Sequence, residues 1–219
     1  MKNLAQSFLT EKDYQRIDEA VKAAEAKTSG EIVCMVQSAS YHYPMANVLG
    51  ATALALPSAL VLTPVVGGYL WLGTQNMWLF IGLFALIFAA SYLLVRKWPS
   101  LKRCFISGRE INEEVEEAAV TSFFRHGLYR TRDATGVLIF ISVFERKVWV
   151  LADHGINARL DADTWDGIVR IITNGIKSGR PSDAISEAVA QVGDILETHF
   201  PIRPDDQNEL SNVIVADDD

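Results

Sequence analysis

Three acidic residues stand where the chain enters or leaves an extended segment. Glu31 opens the run Glu31–Gln37, Asp133 precedes the run 137–143, and Asp153 follows the run 148–152. If those runs pair in one sheet, the three carboxylates gather at one sheet end. Hard oxygen ligands in such loops suit Ca²⁺ or Mg²⁺, and a cation held there orients and polarises a phosphate. His154, next to Asp153, is a candidate acid or base. Arg130 and Arg132 flank Thr131 ahead of the second run and are candidates to hold an anion. Each has a plainer explanation as a turn aspartate, a solvated strand end or an exposed loop cation.

The missing templates narrow the chemistry. The sequence holds no Walker-type phosphate loop, no G-x-G-x-x-G, no G-x-S-x-G elbow, no HExxH and no Cys-x5-Arg nucleophile loop. An enzyme built on this chain is therefore metal- or carboxylate-based. Cys34 and Cys104 lack metal-ligand spacing, and a reduced setting or burial explains both. A net charge of −7 over 219 residues, with no basic aromatic face, argues against nucleic acid as a partner.

The elements that must position these residues can be read from periodicity. Residues 10–27 read as a helix, with Thr10 as N-cap and Asp13 in a capping-box position. Ile32 to Val36 are five consecutive apolar residues, the pattern of a strand covered on both faces. A helix is expected over about 110–126, with an acidic first half and Gly127 as its stop. Two strands, 137–143 and 148–152, form an antiparallel hairpin around the polar turn Phe144-Glu145-Arg146-Lys147. Asp161 or Asp163 caps a helix to about 177, and a last helix ends near His199. The long connection between the first two strands implies a parallel crossover.

Between the first strand and the second helix the chain carries no Asp, Glu, Lys or Arg from Ile32 to Val95. Two apolar runs within that stretch each approach the ~20 residues that cross a bilayer. Arg96, Lys97, Lys102, Arg103 and Arg109 follow the second run, and the intervening Gly73-Thr74-Gln75-Asn76 turn is uncharged. The positive-inside rule then puts both termini and the soluble domain in the cytoplasm of a bacterial-type inner membrane. Arg96, Lys97, Lys102, Arg103 and Arg146 are the membrane-proximal cations expected to meet anionic head groups. Trp71, Trp78 and Trp98 sit near span ends, as interfacial indoles do. Gly67, Gly68 and Gly82 offer close approach to a membrane-protein partner.

At this point the residues carry a resemblance. Thr28-Ser29-Gly30-Glu31-Ile32-Val33 resembles the first strand of the TPM domain. Gly136 to Ser142, Glu145-Arg146-Lys147-Val148 and Asp153 with Gly155-Ile156 resemble its central hairpin. Trp165 and His199-Phe200-Pro201 are similar to a membrane-bound bacterial subgroup. The family includes a member with reported acid phosphatase activity, a repair factor and a receptor accessory protein. Some members bind calcium through an acidic cluster. The resemblance thus implies Ca or Mg as the cofactor class, with Asp153 the best-matched ligand.

The expected architecture is an α/β three-layer sandwich: a small mixed sheet covered by helices, with an inserted transmembrane helical hairpin. Residues 1–38 and 110–200 make the domain and 46–95 the hairpin. Residues 96–109 read as a basic linker and 201–219 as an acidic disordered tail. Two functions stay open. The first is a membrane-tethered, non-catalytic binding or accessory module, serving assembly or quality control of a membrane complex. The second is a metal-assisted phosphatase or related hydrolase.

Overall fold

The computed structural model describes residues 4–161, 163–202 and 210–216. It divides into two compact units, residues 1–41 with 112–219, and residues 42–111.

The first unit is built on β1 (Glu31–Gln37), β2 (Gly136–Ser142), β3 (Lys147–Ala152) and β4 (Val213–Ala216). Among the described residues the strand order is β3-β2-β1-β4. β1 runs parallel to β2, from Glu31 opposite Gly136 to Gln37 opposite Ser142, and β2 and β3 are antiparallel. The expected mixed sheet and crossover are both present. α1 (Leu4–Phe8) and α2 (Glu11–Glu25) precede β1. α2 starts on a complete capping box: the Thr10 hydroxyl accepts from the Asp13 N–H, and the Asp13 carboxylate accepts from the Thr10 N–H at 2.8 Å.

Alternation along the strands assigns the two faces. Ile32, Cys34, Val36, Val137, Ile139 and Ile141 pack in one cluster with α2 (Ile17, Val21), α8 (Ile168, Ile172) and α9 (Ile185, Val189, Val192, Leu196). α8 spans Thr164–Lys177 and α9 spans Pro181–His199. The alternate residues Val33, Met35, Leu138 and Phe140 are buried as well. α6 (Gly108–Arg125) buries Val115, Ala119 and Phe123 at helical spacing. Gly127 ends it at φ 75, the left-handed conformation glycine adopts without penalty.

Part of the tail, read as disordered over 201–219, differs, while 203–209 and 217–219 lie outside the described residues. Val213–Ala216 pairs in parallel with Cys34–Gln37 as β4. The β-branched Val213-Ile214-Val215 run covers an edge of β1 that the other strands leave open. The N-cap of α8 also differs: Asp163 occupies the position but makes no side-chain cap bond.

The second unit contains the two long apolar helices, α3 (Pro44–Tyr69, 26 residues) and α4 (Met77–Lys97, 21 residues). Both are long and apolar enough to cross a membrane. α3 buries Ala51, Ala55, Ala59, Thr63 and Gly67 at four-residue spacing. Small side chains in that register let a second helix approach closely. Gly67 is used inside the hairpin, because a Cβ there would lie 2.3 Å from the Gly73 carbonyl oxygen. The opposite faces expose Leu60, Val61, Val65, Ile81, Leu86 and Leu93. The segment after α4, read as a linker, folds in part as α5 (Pro99–Arg103).

Candidate functional site

The register places Glu31, Asp133 and Asp153 at one end of the sheet of the first unit. Glu31 N–H donates to Thr135 O at 3.1 Å, and Asp153 N–H donates to Gly136 O at 2.9 Å. Shared location does not make a metal cage. Among the described residues, no three His, Cys, Asp or Glu side chains are grouped to hold an ion. Glu31 is buried at the start of β1. Asp153 caps α7 (His154–Asn157), its Oδ1 accepting from the His154 N–H at 2.6 Å. Its Oδ2 is buried with no hydrogen-bond partner among the described residues. That buried oxygen is a feature at this end that fits a cation.

His154 projects outward, its side chain 86% exposed, with Nδ1 3.1 Å from Asp153 Oδ1. Arg130 is committed to its neighbour. Its guanidinium lies 5.3 Å from the Tyr129 ring centroid, and Nε donates to the Tyr129 hydroxyl at 2.9 Å. Arg132 is exposed.

A cleft of about 360 Å³ opens at this end, lined by Ser29, Asp133, Gly155, Arg159, His199 and Phe200 among others. Neither Arg130 nor Arg132 lines it; the cation there is Arg159. Arg159 stacks on Phe200, 4.6 Å from the ring centroid, and donates to His199 O at 2.8 Å. The cleft wall is fixed by backbone. Thr28 Oγ1 donates to Phe200 O at 2.5 Å and Ser29 N–H to the same oxygen at 3.0 Å. Gly155 permits the closest approach: a Cβ there would meet Ala134 O at 2.6 Å and Asp133 O at 2.7 Å. Sequence reasoning missed Arg159. The only available signal was its place one short turn beyond the Asp153-His154-Gly155 motif. A broader groove of about 870 Å³ lies beside α2 and β4, with Leu9, Tyr14, Asn212 and Val213 in its walls. It gathers no cluster of reactive groups.

The opposite sheet end holds an arrangement that the sequence concealed. The turn 144–147 reads as polar, yet Phe144 and Glu145 are buried, with Glu145 fully so. The Glu145 carboxylate accepts from the Ser40 N–H at 3.0 Å and from the Ser142 hydroxyl. Ser40 Oγ donates to Ser142 Oγ at 3.0 Å. Val143 N–H to Gln37 O and Phe144 N–H to Ser38 O, both 3.0 Å, carry the β1–β2 ladder past the strand ends. This pins the chain leaving β1. Arg146 follows at φ 53, a left-handed conformation that reverses the hairpin.

Burial also settles the two thiols. Cys34 lies inside the sheet, and desolvation pushes its thiol up to about 12. Cys104 is free and exposed. At the end of α6, burial and then Arg125 hold the His126 imidazole below its ordinary value.

Residues 106–195 match the family model of the TPM domain. No curated protein matches the sequence. Among solved structures, the chain resembles the NMR structure of BA42 protein from the psychrophilic bacterium Bizionia argentinensis sp. nov.. The identity is 19% and the TM-score 0.60, covering 99% of this chain and 100% of that one. At that identity the likeness speaks for the fold.

Proposed function

We propose that this chain is a membrane-tethered TPM-like module that binds or assembles a partner: residues 106–195 match the TPM domain model, and β1 of the same sheet is separated from them in sequence by two membrane-length helices. The observation that carries the reading is the outer surface of α3 and α4. Leu60, Val61, Val65, Ile81, Leu86 and Leu93 are exposed without any charged residue between them, which suits lipid and not water. Both ends of the hairpin return to the same domain, so the tether is built into its connectivity. The cleft supports binding over turnover. Its arginine is engaged with a carbonyl and a ring, and of the neighbouring candidates outside its lining Asp153 caps a helix and His154 points outward.

The placement is a multi-pass protein of a bacterial-type inner membrane, with the domain and both termini in the cytoplasm, supported by the basic residues after α4. Cys104 supplies the test, since Cys34 is buried and unreactive. A membrane-impermeant maleimide should leave Cys104 unlabelled in intact cells and label it in inside-out vesicles. Labelling in intact cells refutes the orientation. Protein released from membranes by alkaline wash refutes the spanning hairpin.

One observation favours the alternative of a metal-assisted hydrolase: the buried, unbonded Asp153 Oδ2. Calorimetry of the full chain in detergent with Ca²⁺ and Mg²⁺, paired with a phosphomonoester assay, separates the readings. Heat and turnover that both vanish in Asp153→Asn favour the hydrolase. Their absence in the wild type favours the binding module.

A further inference from the structure

The base of the hairpin unit is assembled from three helices and carries a charge pattern of its own. Residues 42–111 contain Arg96, Lys97, Lys102, Arg103 and Arg109 against a single acid, Glu110, in a chain of net charge −7. These basic residues do not share one role. Lys102 is buried, and its ammonium donates to the His42 carbonyl, just ahead of α3. Phe105 packs on Gly50, where a Cβ would lie 2.8 Å from its ring and 3.1 Å from Val95. α5 thus lies against the start of α3 and the end of α4, held by an internal cation and an aromatic wedge. Arg96, Lys97 and Trp98 stay exposed around that base, and Arg103 half-exposed. At the other end of the hairpin Trp71 and Trp78 are exposed and the connecting turn has no charge.

We infer that Arg96, Lys97 and Arg103 form a fixed cationic collar that selects anionic phospholipid head groups, with Trp98 beside it at the interfacial level. The inference rests on the membrane-spanning reading above and names the lipid that the hairpin prefers. Its physical basis is complementarity. Two exposed cations and one half-exposed cation lie where α4 ends and α5 packs back on the base of an apolar bundle. A bilayer presents its phosphate charge at the boundary of the hydrocarbon. Arginine adds bidentate phosphate geometry that lysine lacks. Lys102 is excluded from the collar because its ammonium is spent on the His42 carbonyl. Arg146 is excluded because it belongs to the β2–β3 turn of the other unit.

Each basic residue near an anionic surface contributes roughly five-fold in partitioning, so three give a preference of about one hundred-fold. Native mass spectrometry of the full chain in non-ionic detergent measures apparent affinities for phosphatidylglycerol and phosphatidylcholine. The expected result is a phosphatidylglycerol preference of that order. It should fall to near unity in Arg96→Gln/Lys97→Gln/Arg103→Gln and persist in Arg96→Lys/Arg103→Lys, which keeps the charge. Equal affinity for both lipids in the wild type overturns the collar, as does an unchanged preference in the triple variant. Competition by free glycerol phosphate at matched concentration would show a soluble-anion site and overturn the lipid assignment. Loss of the wild type from pure phosphatidylcholine vesicles on alkaline washing would instead overturn the spanning reading, and the collar with it.

Discussion

Replacing Glu145 with alanine is the sharpest test of the packing at the exit of β1. The side chain is fully buried and accepts two hydrogen bonds, from the Ser40 N–H and the Ser142 hydroxyl. Alanine removes both acceptors and leaves two donors in a region that excludes water. A hydrogen bond to a charged group contributes about 1.5–3 kcal/mol, and a stranded buried donor costs a similar amount. Relaxation and water entry recover part, so the expected loss is about 3 kcal/mol. For a protein of this size that is a fall in Tm of roughly 6–12 °C. Glu145→Gln keeps one acceptor oxygen and should lose about 1–2 kcal/mol. Ser142→Ala with Glu145→Ala should be less harmful than the sum of the two, because the pair shares one network. The assay is thermal unfolding of the full chain in detergent, followed by near-ultraviolet circular dichroism, where Trp149 and Trp165 report on the first unit. A Tm within about 1 °C of wild type for Glu145→Ala would refute the buried network and restore the turn to an exposed, neutral role.

The Thr10–Asp13 capping box gives a pH signature. The Thr10 hydroxyl and then the Thr10 N–H hold the Asp13 carboxyl below its ordinary 3.8. Because the folded value is depressed, the cap contributes fully above the unfolded value and is lost as pH falls through the folded one. Asp13→Asn should cost about 1 kcal/mol at pH 7, and acid titration of stability should show the gap to wild type closing below about pH 4. Gly155→Ala should destabilise by about 1–3 kcal/mol, since the new Cβ meets two backbone carbonyls. Amide chemical shifts should move at Asp133 and Ala134; a wild-type spectrum there contradicts the close approach. Cys34 should resist thiol reagents at pH 8 while Cys104 reacts, because the Cys34 thiol is raised to about 12. Equal labelling rates, read by mass spectrometry, would refute its burial.

Local pattern made much of this fold legible. The capping box, the five apolar residues of β1, the β2–β3 hairpin and the stripes of α8 and α9 each follow from residues within one turn or one strand. The features that escaped depend on distant partners. Glu145 looks like a solvated turn residue until Ser40, on the far side of the hairpin sequence, supplies its donor. Lys102 looks like a head-group cation until its ammonium is placed against His42 O. Val213–Ala216 looks like tail until its parallel pairing with β1 is known. Arg159 joins the cleft only because α7 turns the chain under Phe200. Strand order puts Glu31, Asp133 and Asp153 at one sheet end, but side-chain direction, which the sequence does not carry, decides whether carboxylates sharing a sheet end become ligands.

The insertion itself follows from the topology. Parallel strands require a crossover of at least a dozen residues, so β1 and β2 already tolerate a long excursion between Gln37 and Gly136. Lengthening a connection costs only about 0.6 kcal/mol per doubling when its ends must meet. The hairpin reduces even that cost, because its entry and exit are stitched to each other. His42 at the start of the unit accepts from Lys102 near its end, and Phe105 wedges on Gly50. At the entry to the crossover the Glu145 network fixes Ser40, the last stretch of the domain before the hairpin. Each unit thus carries its own closure, the Lys102 contact in one and the Glu145 network in the other. A crossover that is obligatory in a parallel sheet is thus a natural place to insert a pair of long apolar helices.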